Sequence, residues 1–357
     1  MPTIDSDAHV VESEHTWDYM DPSERDFRPQ LVRPSGDGKR EYWMVDGKIR
    51  GLARQVINTD QFQELSERAG RKMDTPKETR EMENIPARLK HMDELGIDIQ
   101  VLYPTIFIEL VADRPEVEIA VCKSYNRWMA EIWDQGKGRL RWVTPLPLQT
   151  IDEAVEQLRF AHEHGACAVF MRGIEGQRLT HDPYFDPVFR EASERNMAIG
   201  VHIANSNPYI CDVLSQRNGG GAFWKFRLAN VGSFHSLIMS GLPQRFPNLR
   251  VVYAEAAAQW VPFVLKDLKR RWAAQGKVFP DYAMRDFGLY VTFQNDDDID
   301  YLMSYVGEDN GLIGTDYGHN DQSTEIEAVR NLRSSGLLTE DQYRKITWDN
   351  PKALYGL

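Results

Sequence analysis

Eight short apolar runs, separated by segments of helical pattern, constrain the fold of this chain more than any other feature. We interpret each run as a candidate strand. They cover residues 3–11, 97–105, 140–148, 167–173, 198–204, 249–256, 289–295 and 311–316. Helical patterns lie between most of them, at 85–95, 116–133, 151–164, 187–195, 236–246 and 299–306. This alternation predicts a parallel sheet with helices outside it.

Polar residues at the strand ends favour a closed barrel over an open, doubly wound sheet. They follow strands 1, 5, 6 and 8, and only closure gathers these ends around one pocket. Asp7 and His9 lie two residues apart in strand 1, so their side chains project from the same face. Asp316 ends strand 8, which is the neighbour of strand 1 in a barrel. We therefore predict an α/β fold, a (β/α)8 TIM barrel, with a metal site at its C-terminal mouth.

One long polar stretch interrupts the alternation. Residues 12–84 separate strand 1 from its helix, and we interpret them as an insertion into a single domain of residues 1–357. In barrels such an insertion lies over the mouth, which predicts a lid. A surface decoration or a dimer arm is the alternative, because nothing in this segment has unambiguous chemistry.

Charge and composition exclude several classes of partner. The net charge of −12 argues against nucleic-acid binding, which requires clustered Lys and Arg. No apolar stretch approaches the roughly 20 residues that span a bilayer, and no signal-peptide pattern precedes strand 1. The three cysteines do not have the paired spacing of zinc fingers or disulfide frameworks, so we interpret them as buried thiols in a reducing compartment. We expect a cytoplasmic homo-oligomer, a dimer or higher, that acts on a small molecule without a nucleic-acid or membrane partner.

Motifs along nearly the whole chain resemble those of a known family. They are Asp7-Ala-His9 with Glu12, then the segments 125–131, 140–148, 182–189, 245–249, 314–317 and 348–351. In this order and spacing they resemble the amidohydrolase-2 family, the branch of the metal-dependent amidohydrolases that is similar to aminocarboxymuconate semialdehyde decarboxylase and the resorcylate decarboxylases. The resemblance implies a (β/α)8 barrel with one divalent ion at its mouth.

The resemblance also implies the metal ligands. The ligand pair of strand 1 falls on Asp7 and His9, the histidine of strand 5 on His202, and the aspartate of strand 8 on Asp316. Imidazole with carboxylates suits zinc first, and manganese or iron next. Asp5 lies two residues before Asp7, on the same face of strand 1, and is the alternative metal ligand from that strand.

The chain departs from the decarboxylase pattern at strand 6. Where those relatives have a histidine, this chain has Glu255, followed by three alanines. A carboxylate there can serve as a base, as a fifth ligand, or as the acceptor that orients a ligand imidazole. A structural carboxylate that pairs with Arg172 or a lysine is the alternative.

The remaining candidates concern proton transfer and substrate binding. His319, in the loop after strand 8, and His235, near the mouth before strand 6, compete with Glu255 and Asp316 for the proton-transfer role. Arg172 ends strand 4, where it would clamp a carboxylate or form a structural salt bridge. Trp260 and Tyr317 would supply aromatic walls for the substrate or pack in the core.

The metal supports two reactions. In the first reaction, a metal-activated water would hydrolyse a small cyclic or acyl substrate. The absence of the strand-6 histidine favours this reaction. The alternative is metal-dependent, non-oxidative decarboxylation or C–C cleavage of a small aromatic or unsaturated acid. A barrel that binds a ligand without catalysis is the remaining class, and the intact ligand set argues against it.

Overall fold

The chain folds into a barrel of eight parallel strands, which confirms the predicted fold class. The computed structural model describes residues 1–36, 38, 40–55, 59–214 and 221–357. Each strand pairs with the next along the chain, so sheet order follows sequence order. The strands are β1 (Ile4–His9), β2 (Ile99–Tyr103), β3 (Leu140–Thr144), β4 (Ala166–Arg172), β5 (Ala198–His202), β6 (Val251–Ala254), β7 (Leu289–Phe293) and β8 (Gly311–Ile313).

The residues that follow β8 close the barrel onto β1. The backbone N–H groups of Thr315 and Asp316 donate to the carbonyl of Asp7 at 3.1 and 2.8 Å. The N–H of His9 in turn donates to the carbonyl of Tyr317 at 2.8 Å. Gly314 permits this approach, because a Cβ at that position would lie 2.3 Å from the Cβ of Asp7. The two ends of the sequence therefore meet, as predicted.

Helices surround the sheet, and in the described part of the chain each strand is followed by one main helix. They are α1 (Ile85–Leu95), α2 (Pro115–Gln135), α3 (Ile151–Glu163), α4 (Asp186–Glu194), α5 (Leu228–Met239), α6 (Val261–Ala274), α7 (Ile299–Val306) and α8 (Ala328–Ser334). The predicted helix at 236–246 is wrong in its bounds. Helix α5 begins eight residues earlier, and Gly241, at φ 78°, separates it from the short helix Leu242–Arg245.

Helical periodicity explains why these segments form helices. In α3 the buried residues Ala154, Leu158 and Ala161 recur every three or four positions, so they form one apolar stripe that packs on the sheet. Helix α6 buries Val261, Val264, Leu265 and Leu268 with the same spacing, although the sequence analysis did not predict it.

The segment between β1 and α1 has its own secondary structure. It contains 3-10 helices Glu14–Tyr19 and Pro22–Phe27, a three-stranded antiparallel sheet (Gln30–Val32, Arg40–Val45 and Lys48–Gln55), and helices Thr59–Ala69 and Lys77–Arg80. Trp17 and Trp43 are buried and pack edge to face, with ring centroids 5.6 Å apart. Arg50 contacts Asp113 at 2.8 Å, which ties the sheet to the loop after β2.

The C-terminal helix Asn350–Tyr355 packs against β1 and β8. The Tyr355 hydroxyl donates to the carbonyl of Ser6 at 2.9 Å and lies 3.1 Å from the Tyr103 hydroxyl. Both tyrosines are buried, so the interior beneath the metal-type residues is filled with side chains. Among the described residues, no helix is long and apolar enough to cross a membrane.

Candidate metal centre

Five polar atoms converge at the carboxyl ends of β1, β5, β6 and β8. His9 Nε2 lies 3.6 Å from Asp7 Oδ1, 3.4 Å from Asp316 Oδ1 and 3.8 Å from Glu255 Oε2. His202 Nε2 lies 3.5 Å from Asp7 Oδ1 and 3.1 Å from Glu255 Oε2. All five side chains are buried. We call these five residues the metal cluster; they contain the four ligands predicted from the sequence, together with Glu255.

The five cluster atoms fall into two candidate ligand sets that share His9: Asp7 with His202, and Glu255 with Asp316 and the nearby His319, the ligand atoms of each set lying within 4.8 Å of one another. None of the five has a hydrogen-bond partner within the part of the chain that the structure describes. Burying unpaired charged groups costs several kcal/mol each, on the order of the Coulomb attraction that a cation would supply. Two ligand atoms about 2.1 Å from an ion, at angles of about 90–110°, lie about 3.0–3.4 Å apart. The observed separations need only a small contraction to reach these values.

The carboxylates and imidazoles of the cluster hold one another's pKa values away from their ordinary ranges; although burial opposes its protonation, Asp7 and Glu255 raise the pKa of His202 to about 10. Burial raises the pKa values of Asp7 and Asp316 above their ordinary range. Burial also opposes ionisation of Glu255, but His202, whose Nε2 lies 3.1 Å away, outweighs it and lowers the pKa of Glu255. Burial lowers the pKa of His9 well below its usual value, which leaves the neutral imidazole that metals bind. A divalent ion would replace the protons that otherwise balance these carboxylates.

Hydrogen bonds from neighbouring residues orient the carboxylates. Asp316 Oδ2 accepts a hydrogen bond from Thr324 Oγ1 at 2.6 Å, which turns Oδ1 toward the cluster. Asp5 accepts from Thr315 N and Oγ1 at 3.0 and 2.6 Å and from Gln100 Nε2 at 2.9 Å. Asp5 therefore holds the strand that precedes Asp316, and Asp7 is the residue of the pair that joins the cluster.

His319 lies beside the cluster, in the loop after β8. Its Nδ1 is 2.7 Å from Asp316 Oδ1, and its ring stacks on His9 with centroids 3.8 Å apart. Its Nε2 is 2.9 Å from Thr105 Oγ1, whose hydroxyl donates to the carbonyl of Val10 at 2.7 Å. Because that hydroxyl has only one proton, it accepts from His319, so Nε2 carries a proton.

A family model described as amidohydrolase matches residues 4–357. The chain belongs to the amidohydrolase family. It is 21% identical over 244 residues to the 2-amino-3-carboxymuconate-6-semialdehyde decarboxylase of Dictyostelium discoideum, a match that covers 64% of this chain and 65% of that relative. It is 26% identical over 256 residues to the gamma-resorcylate decarboxylase of Rhodococcus jostii, covering 64% of this chain and 76% of that one. The match thus spans just under two thirds of the first relative.

Solved structures share the fold of this amidohydrolase over its whole length. An amidohydrolase from Mycobacterium avium subsp. paratuberculosis superposes with a TM-score of 0.82 at 22% identity, covering 100% of this chain and 98% of that one. The 5-carboxyvanillate decarboxylase of Novosphingobium aromaticivorans, complexed with manganese and 4-hydroxy-3-methoxy-5-nitrobenzoic acid, gives 0.69 at 17% identity, covering 100% and 96%. At these identities the likeness establishes the fold alone.

The structure does not bring His235 to the metal cluster of this amidohydrolase. His235 lies two turns inside α5, and its Nε2 is 3.1 Å from Asp267 Oδ2 on α6. The prediction that it lies near the mouth is therefore wrong, because α5 begins at Leu228 and carries His235 down into the helix layer.

The three predicted substrate contacts are also placed elsewhere. Trp260 packs on Phe234 of α5 with centroids 5.0 Å apart, on the outer side of β6. The Tyr317 hydroxyl is 2.7 Å from His91 Nδ1 of α1, so this ring also faces outward. For both residues the core-packing alternative is correct. Arg172 forms the structural salt bridge, with its Nη1 2.7 Å from Glu175 Oε2 and its Nε donating to the carbonyl of Phe107 at 2.6 Å.

Several residues near the cluster were not predicted. Glu12 accepts hydrogen bonds from the backbone N–H groups of Thr105 and Ile106 at 2.9 and 3.0 Å, and so fixes the loop that holds His319. Thr292 Oγ1 accepts from the backbone N–H of Glu255 at 2.8 Å. Thr292 lies in β7, where alternation predicts an inward-facing side chain, whereas Gln294 follows the strand and has no such signal.

Proposed function

We propose that this amidohydrolase is a metal-dependent, non-oxidative decarboxylase of a small aromatic or unsaturated carboxylic acid. The carrying observation is the metal cluster, which gathers three carboxylate oxygens and two imidazole nitrogens at the barrel mouth. Decarboxylation ranks ahead of the hydrolysis favoured by the sequence, because both curated relatives reported above are decarboxylases.

The five residues of the cluster would hold the ion. When bound, a divalent ion supplies positive charge that binds and polarises oxygens of the substrate. Carboxylates suit manganese and imidazoles suit zinc, so the donor set supports either metal. The manganese in the structure of the carboxyvanillate decarboxylase adds weight to the first, whereas the sequence favoured zinc.

His319 and Asp316 are the groups that would handle the proton. His319 Nε2 carries a proton held by Thr105, and Nδ1 lies next to Asp316 Oδ1. Decarboxylation requires a proton for the carbon that loses carbon dioxide, and a hydrogen-bonded histidine beside the ligands is a suitable donor. Glu12 keeps the Thr105 loop in place, which maintains the position of His319.

Hydrolysis is the second candidate, and Glu255 is the observation that favours it. A carboxylate stands where the relatives that the chain resembles have a histidine, and it lies 3.1 Å from His202 Nε2. Glu255 and Asp316 would then share the proton of an attacking water.

One experiment ranks these reactions. The purified protein is analysed for metal by mass spectrometry and incubated with hydroxybenzoates, lactones and cyclic amides, while carbon dioxide and acid release are followed separately. Decarboxylation predicts carbon dioxide from a hydroxybenzoate; acid release from a lactone or amide without carbon dioxide would reverse the order. His202→Ala, which removes a cluster residue, should abolish turnover and lower the metal content. We also propose that the chain is a homo-oligomer, with the segment 12–84 as a lid or dimer arm. Sedimentation of the same sample tests the oligomeric state.

A further inference from the structure

Thr292, in β7, and Gln294, directly after it, carry hydrogen-bond donors next to the metal cluster. Thr292 and Gln294 line a small cavity together with Asp7, Glu255 and Asp316. The cavity leaves about 10 Å³ for the centre of a water-sized group. That is roughly the room that one water or one ligand oxygen needs.

Gln294, which lines this cavity, carries an unpaired amide nitrogen. Its Nε2 is buried and has no hydrogen-bond partner among residues 1–36, 38, 40–55, 59–214 and 221–357. The residue is held in place through its backbone N–H, which donates to Asp297 Oδ2 at 2.9 Å. An unpaired buried donor is costly, and such groups in native proteins usually have a ligand, ion or water to bind.

Thr292 supplies the second donor. It is buried, and its Oγ1 already accepts a hydrogen bond from the backbone of Glu255 at 2.8 Å. The hydroxyl proton has no acceptor in the described part of the chain and is therefore free to point toward the cavity that the residue lines. The cavity thus combines two neutral donors with the carboxylates of the cluster.

We propose that Thr292 and Gln294 form an oxygen-binding subsite beside the metal cluster, which receives one carboxylate oxygen of the substrate. The inference rests on the proposed function and narrows its substrate class. Two donors select an acceptor oxygen and reject an apolar group, which would leave both donors unpaired. The volume admits one oxygen and not a ring, so the remainder of the acid lies outside this subsite.

The test replaces Gln294 and measures binding rather than turnover. Gln294→Met keeps the length of the side chain and removes both polar atoms. The probe is acetate, titrated calorimetrically into manganese-loaded protein of measured metal content. We expect the acetate affinity to fall about 10–100-fold, as for the loss of a hydrogen bond to a charged group, while the metal content stays the same. Gln177→Met, which changes an exposed amide in another cavity, is the matched control and should bind acetate normally.

A second readout separates binding from structural support. Removing an unpaired buried amide should leave the urea midpoint of the metal-free protein unchanged or raise it. The subsite would be overturned by a lower urea midpoint, by a lower metal content, or by the absence of acetate binding to both proteins. It would also be overturned by an unchanged acetate affinity, which would show that Gln294 holds a structural water only. Gln294-dependent acetate binding in a protein that releases no carbon dioxide from any acid would retain the subsite and refute the decarboxylase proposal.

Discussion

Gly314→Ala should open the barrel at the point where the metal cluster is assembled. A Cβ at this position would lie 2.3 Å from the Cβ of Asp7, and 3.1 and 3.2 Å from its Cα and backbone N. Ordinary carbon contacts need about 3.5–4.0 Å, so the segment after β8 would have to move by about 1 Å or more from β1. All three contacts are with the backbone and Cβ of Asp7, which cannot rotate away.

The structure gives the size of the effect. A shift of about 1 Å, the displacement required above, would break the hydrogen bonds from Thr315 N and Asp316 N to the carbonyl of Asp7, which are 3.1 and 2.8 Å long. It would also break the hydrogen bond from Thr315 N to Asp5 Oδ1, which is 3.0 Å long. The N–H of Thr315 is shared between two acceptors, so two donors lose their partners, at about 1 kcal/mol each, and overpacking adds about 1–3 kcal/mol. We expect a loss of about 3–5 kcal/mol, a large fraction of the stability of a typical protein.

Urea unfolding and metal analysis together test this reasoning. The variant should unfold at lower urea and retain less metal, since Asp316 would move away from Asp7. Gly232→Ala is the control, because that exposed residue of α5 has open space around its Cβ position. It should be neutral or stabilise the protein by about 0.5–1 kcal/mol. A Gly314→Ala protein as stable and as metal-rich as the wild type would refute the assigned closure.

Three further predictions concern single side chains. Glu255→Gln should weaken metal binding about 10-fold or more, measured by competition with a chelator, because an amide oxygen carries no negative charge; unchanged affinity would remove Glu255 from the ligand set. His235→Ala should leave metal content and turnover unchanged, because His235 pairs with Asp267 in the helix layer; loss of turnover at full metal content would restore its catalytic role. Burial raises the pKa of Glu118 to about 7. The stability that the neutral carboxyl contributes to the folded protein is therefore fully present below about pH 4.5 and is lost as the pH rises through 7. Relative to Glu118→Gln, the wild type should therefore lose on the order of 2–3 kcal/mol of unfolding free energy between pH 4 and pH 8, and a pH-independent difference would contradict the shift.

The fold was predictable because its signals are periodic. All eight strands formed at the apolar runs that predicted them. Their ends were predicted too late. The run 140–148 stops as a strand at Thr144, because Pro145 has no N–H to donate to a neighbouring strand. The runs 249–256 and 311–316 stop at Ala254 and Ile313, ahead of residues that leave the extended conformation.

The candidate site was predictable only as far as strand parity holds. Parity put Asp7 and His9 on one face of β1, where the structure has them, because alternate residues of a strand share a face; His202, at the end of β5, came from the family resemblance. Beyond the strand ends parity fails. Tyr317 follows Asp316, whose φ is 51°, and Trp260 follows a turn in which Ala257 has a φ of 55°. Neither reversal of direction has a sequence signal, since glycine is absent from both positions.

The left-handed backbone at Glu255 bears directly on the choice between the two reactions. Its φ is 58°, a conformation that costs a non-glycine residue about 1–3 kcal/mol and persists where surrounding structure enforces it. Here the hydrogen bond from its N–H to Thr292 Oγ1 enforces the turn and is independent of the side chain. A histidine at this position would start from the same Cα and point toward the same cluster. Glutamate in place of histidine therefore changes the chemical group that faces the metal and the substrate, but it does not move the Cα that carries this group.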